Sequence, residues 1–340
     1  RKLKTNAIID TVGNMDINIT ADDGTNAPTT KAFTIAVITS VPDITPVIKQ
    51  FTITQGNNQG RVISKTGGAV TVHATVIAKT YEWSNNFNVT DTSEDNDVVF
   101  VFNSANIDIG ILTITLKATA NTHSSERVLK LELVDTRPSD WTDVNNNGIS
   151  DSEESGHSNN ELLAGTNKKI TSPVDTRILL GVMGKMGKDS GRLTLTQMET
   201  YVTGNNLTDN TSDTMSTGDI YDYVIEGLSA VGATTEVIIE LTAIIPKELE
   251  FRRYSLATGW ANFEVDANNI IQSKTSATCT DDSWEAGLIT GATCLKLTIK
   301  DGGANDTDGT QSDNTGDANG VVASTISIAT PTSTLRFCRF

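Results

Sequence analysis

Oxygen-bearing side chains stand at positions 1, 3, 5, 9 and 12 of the twelve residues 143–154, DVNNNGISDSEE, with a glycine at position 6. Asp143, Asn145 and Asn147 offer side-chain oxygens and Ile149 its backbone carbonyl. Asp151 adds a direct or water-mediated ligand, and Glu154 closes the set, bidentate if the loop winds like an EF-hand. An all-oxygen set at this spacing suits calcium, a hard cation that takes six to eight such ligands. Gly148 permits the sharp turn between the donors. A polar Asn/Asp/Ser linker shares the composition, but the glycine in register argues for the metal loop.

Two further groups carry chemistry. Asp301, Asn305, Asp306 and Asp308, followed by Asp313 and Asp317, crowd a glycine-rich stretch. Their spacing matches no defined loop, so they read either as a second calcium group or as an ordinary solvated hairpin. Cys279 and Cys294 flank the segment carrying Trp284. A disulfide between them closes a loop of about 15 residues, worth about 3 kcal/mol in the chain-entropy account. It implies an oxidising compartment and leaves Cys338 odd.

Catalytic readings find little to stand on. Residues 181–190 hold two Gly-Lys pairs, but P-loop spacing fails and Asp189 follows Lys188 where Ser or Thr is needed. His73, His123 and His157 are scattered, and none pairs with a Cys or Ser motif. Acidic residues are plentiful, yet nothing singles out a glycosidase pair. With 26 Lys+Arg against 42 Asp+Glu, the net charge of -16 argues against nucleic acid or anionic membrane as partner. No window has the length and hydropathy of a transmembrane helix. Arg1-Lys2-Leu3-Lys4 is not followed by an apolar run, so an export signal would lie outside this sequence.

The elements that must position these groups are strands. Residues 1–41 alternate at Met15-Asp16-Ile17-Asn18-Ile19 and at 32–37 around the turn Asp22-Asp23-Gly24, like the end of an immunoglobulin-like or cadherin-like repeat. Those strands carry apolar faces that so short a segment cannot bury. Residues 44–135 hold seven short strands with turn signals between them, enough for one β-sandwich. The alternation is plainest at Leu112, Ile114, Leu116 and Ala118, and at Leu129, Leu131 and Leu133. Trp83 reads as a core anchor of that sandwich. Residues 138–160 form the calcium linker, 161–330 a β-rich domain, and 331–340 a tail. Short helices are expected at 193–202 and at 220–228, the second behind Asp219 as a cap.

Several segments resemble known families. Polar flanks replace the helices an EF-hand needs, so the linker resembles a thrombospondin type 3 repeat or a dockerin-like linker. Tyr81-Glu82-Trp83-Ser84 and Gly110-Ile111-Leu112-Thr113-Ile114 resemble the polycystic-kidney-disease-type repeats of bacterial surface proteins. Ser139-Asp140-Trp141, residues 176–184, residues 218–223, Gly259-Trp260-Ala261-Asn262-Phe263 and residues 297–306 look like the choice-of-anchor U domain. That domain lies near the C-terminus of large surface or exported proteins of Gram-negative bacteria. The likeness covers about residues 160 to 325 and is most specific in Asp301-Gly302-Gly303-Ala304-Asn305-Asp306. It departs from the family at an insertion, Thr310 to Gly316, and in a tail with neither a sorting motif nor an apolar anchor. The resemblance implies an extracellular module beside an anchoring signal and supplies no catalytic residues.

The expectation is a mainly β protein: tandem immunoglobulin-like β-sandwiches followed by a β-rich C-terminal domain with short helices. Its expected function is non-catalytic and extracellular, a calcium-stabilised structural or adhesive component of the cell surface. Partners would be other surface or matrix proteins, copies of itself, or glycans. Two alternatives stand beside it: a filament subunit assembled by strand complementation, and a carbohydrate-binding accessory region of a secreted hydrolase.

Overall fold

The computed structural model of the chain describes residues 13–21, 29–37, 45–93, 97–137, 141–153, 156–184, 190–204, 219–256, 258–308 and 318–329. It is mainly β, as the alternation requires. β1 (Gly13–Ala21) and β2 (Thr29–Val37) form a nine-residue antiparallel ladder with Met15 opposite Ile35 and Ile17 opposite Phe33. Among the described residues this ladder pairs with no other strand. The turn expected at Asp22-Asp23-Gly24 lies outside the described residues.

The first sandwich contains β3 (Gln50–Gln55), β4 (Asn58–Gln59), β5 (Val62–Ser64), β6 (Ala69–Thr75), β7 (Thr80–Asn85), β8 (Val99–Asn103), β9 (Gly110–Ala120) and β10 (His123–Val134). They make two four-stranded sheets, ordered β4-β3-β6-β8 and β5-β10-β9-β7. The period-2 pattern decides what lies between them. Phe51, Ile53, Val70, Val72, Phe100 and Phe102 of one sheet meet Leu112, Ile114, Leu116, Leu129 and Leu131 of the other, all buried. Trp83 packs between Phe51 and Phe100, at centroid distances of 6.0 and 5.6 Å, and its Nε1 donates to the Asp97 carbonyl at 2.9 Å. It is a core anchor, with its one polar atom satisfied at the rim. Two inward positions of β10 break the apolar pattern: Ser125 and Arg127 are buried in the register of Leu129, Leu131 and Leu133.

The second sandwich starts with β11 (Glu161–Leu163), β12 (Lys169–Thr171), β13 (Arg177–Leu180), β14 (Arg192–Leu193), helix α1 (Leu195–Gly204), β15 (Ile220–Glu226) and β16 (Thr234–Glu240). It continues with β17 (Glu250–Ser255), β18 (Gly259–Asn262), β19 (Ile270–Lys274), β20 (Glu285–Ala286), β21 (Cys294–Lys300) and β22 (Val321–Ala329). One sheet runs β11-β12-β16-β21-β19-β20 and the other β13-β15-β22-β17-β18, with β14 also on β15. Ile170, Val237, Ile239, Leu295 and Leu297 of the first pack against Ile178, Tyr223, Ile225, Val322 and Ile326 of the second. Cys279 and Cys294 are joined, so the disulfide fixes the 279–293 loop to the first residue of β21. Trp284 in that loop stacks beneath the Lys274 ammonium at 4.2 Å.

One expected helix forms and the other does not. α1 starts at a capping box, with Gln197 N–H donating to Thr194 Oγ1 and Thr194 N–H donating to Gln197 Oε1. The segment expected as a helix at 220–228 is instead the central strand β15, so α1 is the one α-helix among the described residues. The reason is burial on both faces. Tyr221, Tyr223 and Ile225 face the inter-sheet core, while Ile220 lies in a smaller cluster with Met183, Leu193, Met198, Val202 and Tyr254 beneath α1. A strand covered on both sides loses its alternation, and its Ile, Tyr and Val content then decides for β.

The outer face of β15 also buries Asp222, which staples the chain. Its Oδ2 accepts from Met183 N–H at 2.7 Å and its Oδ1 from Thr325 Oγ1 at 2.8 Å. Burial raises its pKa from 3.8 to about 6, outweighing both hydrogen bonds. The native state therefore binds this proton more tightly than the unfolded chain. The stability gained from Asp222 is full below pH 4 and lost as pH rises through 6. We expect Asp222→Asn to exceed wild type in stability at pH 7.5 by up to about 3 kcal/mol, with the advantage gone near pH 4. Urea unfolding of both proteins from pH 4 to 8 measures it, and parallel pH profiles would refute it.

Candidate calcium loop at the seam between the sandwiches

The linker residues wind into a turn through their own side chains. Asp143 Oδ1 accepts from Asn147 N–H and Oδ2 from Gly148 N–H, both at 2.9 Å. Asn147 Oδ1 accepts from Ile149 N–H at 2.8 Å, and Asp151 Oδ1 from Val144 N–H at 3.1 Å. Asp151 N–H closes the ring on the Thr142 carbonyl at 2.8 Å. These bonds bring Asp143, Asn145, Asn147 and Asp151 onto one turn, with Asn146 and Gly148 in the left-handed region at φ 57° and 97°. Such side-chain-to-backbone bonds are what Asp and Asn make when no ladder claims them. Asp143, Asn145 and Asn147 are buried, and the Ile149 side chain is fully inside the second core. Glu154, the twelfth position, lies outside the described residues.

The donor chemistry suits calcium: the described members of the expected set are two carboxylates, two amides and one backbone carbonyl, all oxygen ligands, with no thiolate and no imidazole. Among the described residues no three His, Cys, Asp or Glu side chains gather as a metal-holding group. His157 Nδ1 stands 3.3 Å from Asp151 Oδ1 at the exposed rim.

Both sandwiches grip this loop. On one side the Asn146 side chain accepts from Ile53 N–H of β3 at 3.2 Å. On the other, the Asn147 carbonyl accepts from Leu180 N–H of β13 at 2.8 Å. Gly60, at φ 110°, lets the first sandwich come so close that a Cβ there would meet Asp143 Cβ at 2.8 Å. Asn146 is the residue that reading for ligands passes over, since position 4 of such a loop offers no coordinating oxygen. Only the run of three asparagines marked it.

Beside the loop, Glu226 at the end of β15 is fully buried and ringed by three arginines. Arg127 of β10 bonds it directly, with Arg177 of β13 at 3.5 Å and Arg61 at 3.7 Å. Arg127 also donates to the Ile48 carbonyl and stacks 5.0 Å over Phe51, and Arg177 donates to the Phe51 carbonyl at 2.9 Å. The cluster thus spans both sandwiches. Burial lowers the pKa of Arg61 and Arg177 to about 10 and of Arg127 to about 9. Mutual repulsion adds to the fall for Arg127 and Arg177, while Asp143 opposes it for Arg61 and Arg177 and Asp308 for Arg127. All three stay cationic at neutral pH.

The second acidic group is held by backbone amides. Asp301 Oδ2 accepts from Gly232 and Gly320 N–H at 2.6 and 2.8 Å, and Oδ1 from Asn319 N–H at 3.0 Å. Asp306 accepts from Gly302 and Ala323 N–H at 2.9 and 3.0 Å. Asp308 accepts from the Asn319 side chain at 2.8 Å. Asn305 turns away, pairing with Glu264 N–H and carbonyl. Asp306 is held well above the usual carboxylate range by burial first and then by the charges of Asp308 and Asp301. The group pins the 301–308 turn to the start of β22, and Asp313 and Asp317 lie outside the described residues. No protein-family model matches the chain, and no curated protein matches it.

The close approach at Gly60 can be tested. Gly60→Ala combines strain at positive φ with a clash against Asp143, and should cost about 1 to 3 kcal/mol. Gly68, at φ 82° with open space around it, isolates the backbone share through Gly68→Ala. Equal losses for the two variants in urea unfolding would show that the seam does not press on the loop.

Proposed function

We propose that this chain is a calcium-stabilised, non-catalytic structural or adhesive module of an extracellular surface protein, of the Gram-negative kind that carries choice-of-anchor U domains. One observation carries it: a loop with calcium-ligand spacing is buried at the seam of two β-sandwiches and hydrogen-bonded to both. A cation there would stiffen the joint between successive modules, which is what a surface protein under load needs. The Cys279–Cys294 disulfide supports the extracellular assignment. Asp143, Asn145, Asn147, Ile149, Asp151 and Glu154 would hold the ion, which neutralises the carboxylates and replaces their lost hydration. The β1–β2 ladder, paired with no other strand among the described residues, favours a second reading in which strand complementation joins copies into a filament.

Calcium at a hundred times its Kd would raise stability by about 2.7 kcal/mol if it binds only the native state. We expect calorimetry to show a higher melting temperature with calcium than with chelator, and no such difference after Asp143→Ala. Superimposable transitions with and without calcium would defeat the metal assignment.

A further inference from the structure

The loop and the arginine cage are neighbours that share both sandwiches, and their thermodynamics should be joined. We propose that docking of the two sandwiches by Glu226 sets the calcium affinity of the turn at 143–151, so that seam and loop act as one coupled device. This presupposes the calcium reading of the loop and assigns its control to residues that hold no metal.

Coupling requires that the loop's binding-competent shape depend on both sandwiches, and the contacts meet that condition. Asn146 is fastened to β3 and Asn147 to β13, so the turn between Asp143 and Gly148 is held from two sides. Separating the sandwiches must break at least one of these bonds. Asp143 then loses the neighbouring backbone that keeps it buried, starting with Gly60. Docking in turn depends on Glu226. Arg61 Nε and Nη2 are buried without a hydrogen-bond partner, so its attraction to Glu226 is one of charge, whereas Arg177 adds a hydrogen bond to the Phe51 carbonyl. Glu226 is the anion all three share. Without it, three cations face one another across the seam, and like charges in a buried site separate.

The direction follows from linkage. If docking favours the binding-competent loop, calcium must favour docking by the same factor. Glu226 is a positioning residue in this scheme, since it touches no proposed ligand and acts on the loop through the geometry of Asn146 and Asn147 and through Arg61 and Arg177, which lie within electrostatic reach of Asp143. A merely structural Glu226 would change the melting temperature and leave calcium affinity in the folded protein unaltered.

The test is calorimetric titration of calcium into the full 340-residue chain as wild type, Glu226→Gln and Asn146→Gly, with small-angle scattering of each. Asn146→Gly keeps the left-handed backbone and removes the side-chain bond to β3 together with a longer one, 3.4 Å, to the Asp143 carbonyl, so it serves should Glu226→Gln fail to fold. We expect each variant to bind calcium at least fivefold more weakly, the lower end of usual coupling factors. Glu226→Gln should also show a larger maximum dimension without calcium, shrinking as calcium is added. Wild-type affinity in both variants would overturn the coupling while leaving the calcium loop intact. A wild-type chain that takes up no calcium would overturn both together.

Discussion

One buried carboxylate, Glu226, holds three guanidiniums contributed by both sandwiches, and the relation between the sandwiches depends on it. Ion clusters of this kind add little net stability, because desolvating each charge offsets most of the attraction it gains. What they supply is geometry. A hydrophobic patch of the same area tolerates sliding and rolling, whereas a carboxylate shared by three planar cations loses energy steeply when any of them moves. The joint between two sandwiches is thereby given one orientation.

The charges around the cage are arranged to make its burial tolerable. Asp143 in the linker acts electrostatically on Arg61 and Arg177, and Asp308 in the acidic turn acts on Arg127. The anionic side of the balance thus comes from the linker and the second sandwich, while Arg61 and Arg127 come from the first. Most of the chain's acidic surplus lies after position 137, in keeping with that division. The two acidic motifs that look alike in sequence take different parts in it. Residues 143–151 wrap a turn that both sandwiches grip; residues 301–308 use their carboxylates to gather backbone amides around one loop.

Much of the scaffold was legible because it follows local rules. The alternation in β9 and β10, the cysteine spacing, the short helix near 193–202 and the glycine-centred spacing of the linker's oxygens each declare themselves within a dozen residues. The 220–226 segment did not, since a strand covered on both faces has no period to read. The cage was hidden for another reason. Arg127 and Glu226 lie 99 residues apart, and nothing near either one names its partner. A trace existed all the same: Arg127 occupies a core-facing position of a regular strand, and Asp222 and Glu226 stand in the same register of an otherwise apolar one. A charge where the pattern demands a hydrocarbon signals a partner arriving from elsewhere in the chain.

That trace also explains why the linker belongs to the seam and is more than a tether. A flexible tether would leave the arginines of one sandwich to find Glu226 of the other against the full entropy of two independent bodies. A wound, hydrogen-bonded turn removes most of that freedom before the charges meet. The turn in turn needs its carboxylates neutralised or hydrogen-bonded to stay wound in a buried place, and the amide bonds to Asp143 serve that need. Each half supplies what the other lacks: the loop contributes preorganisation, and the cage contributes the specificity that a polar turn alone cannot give.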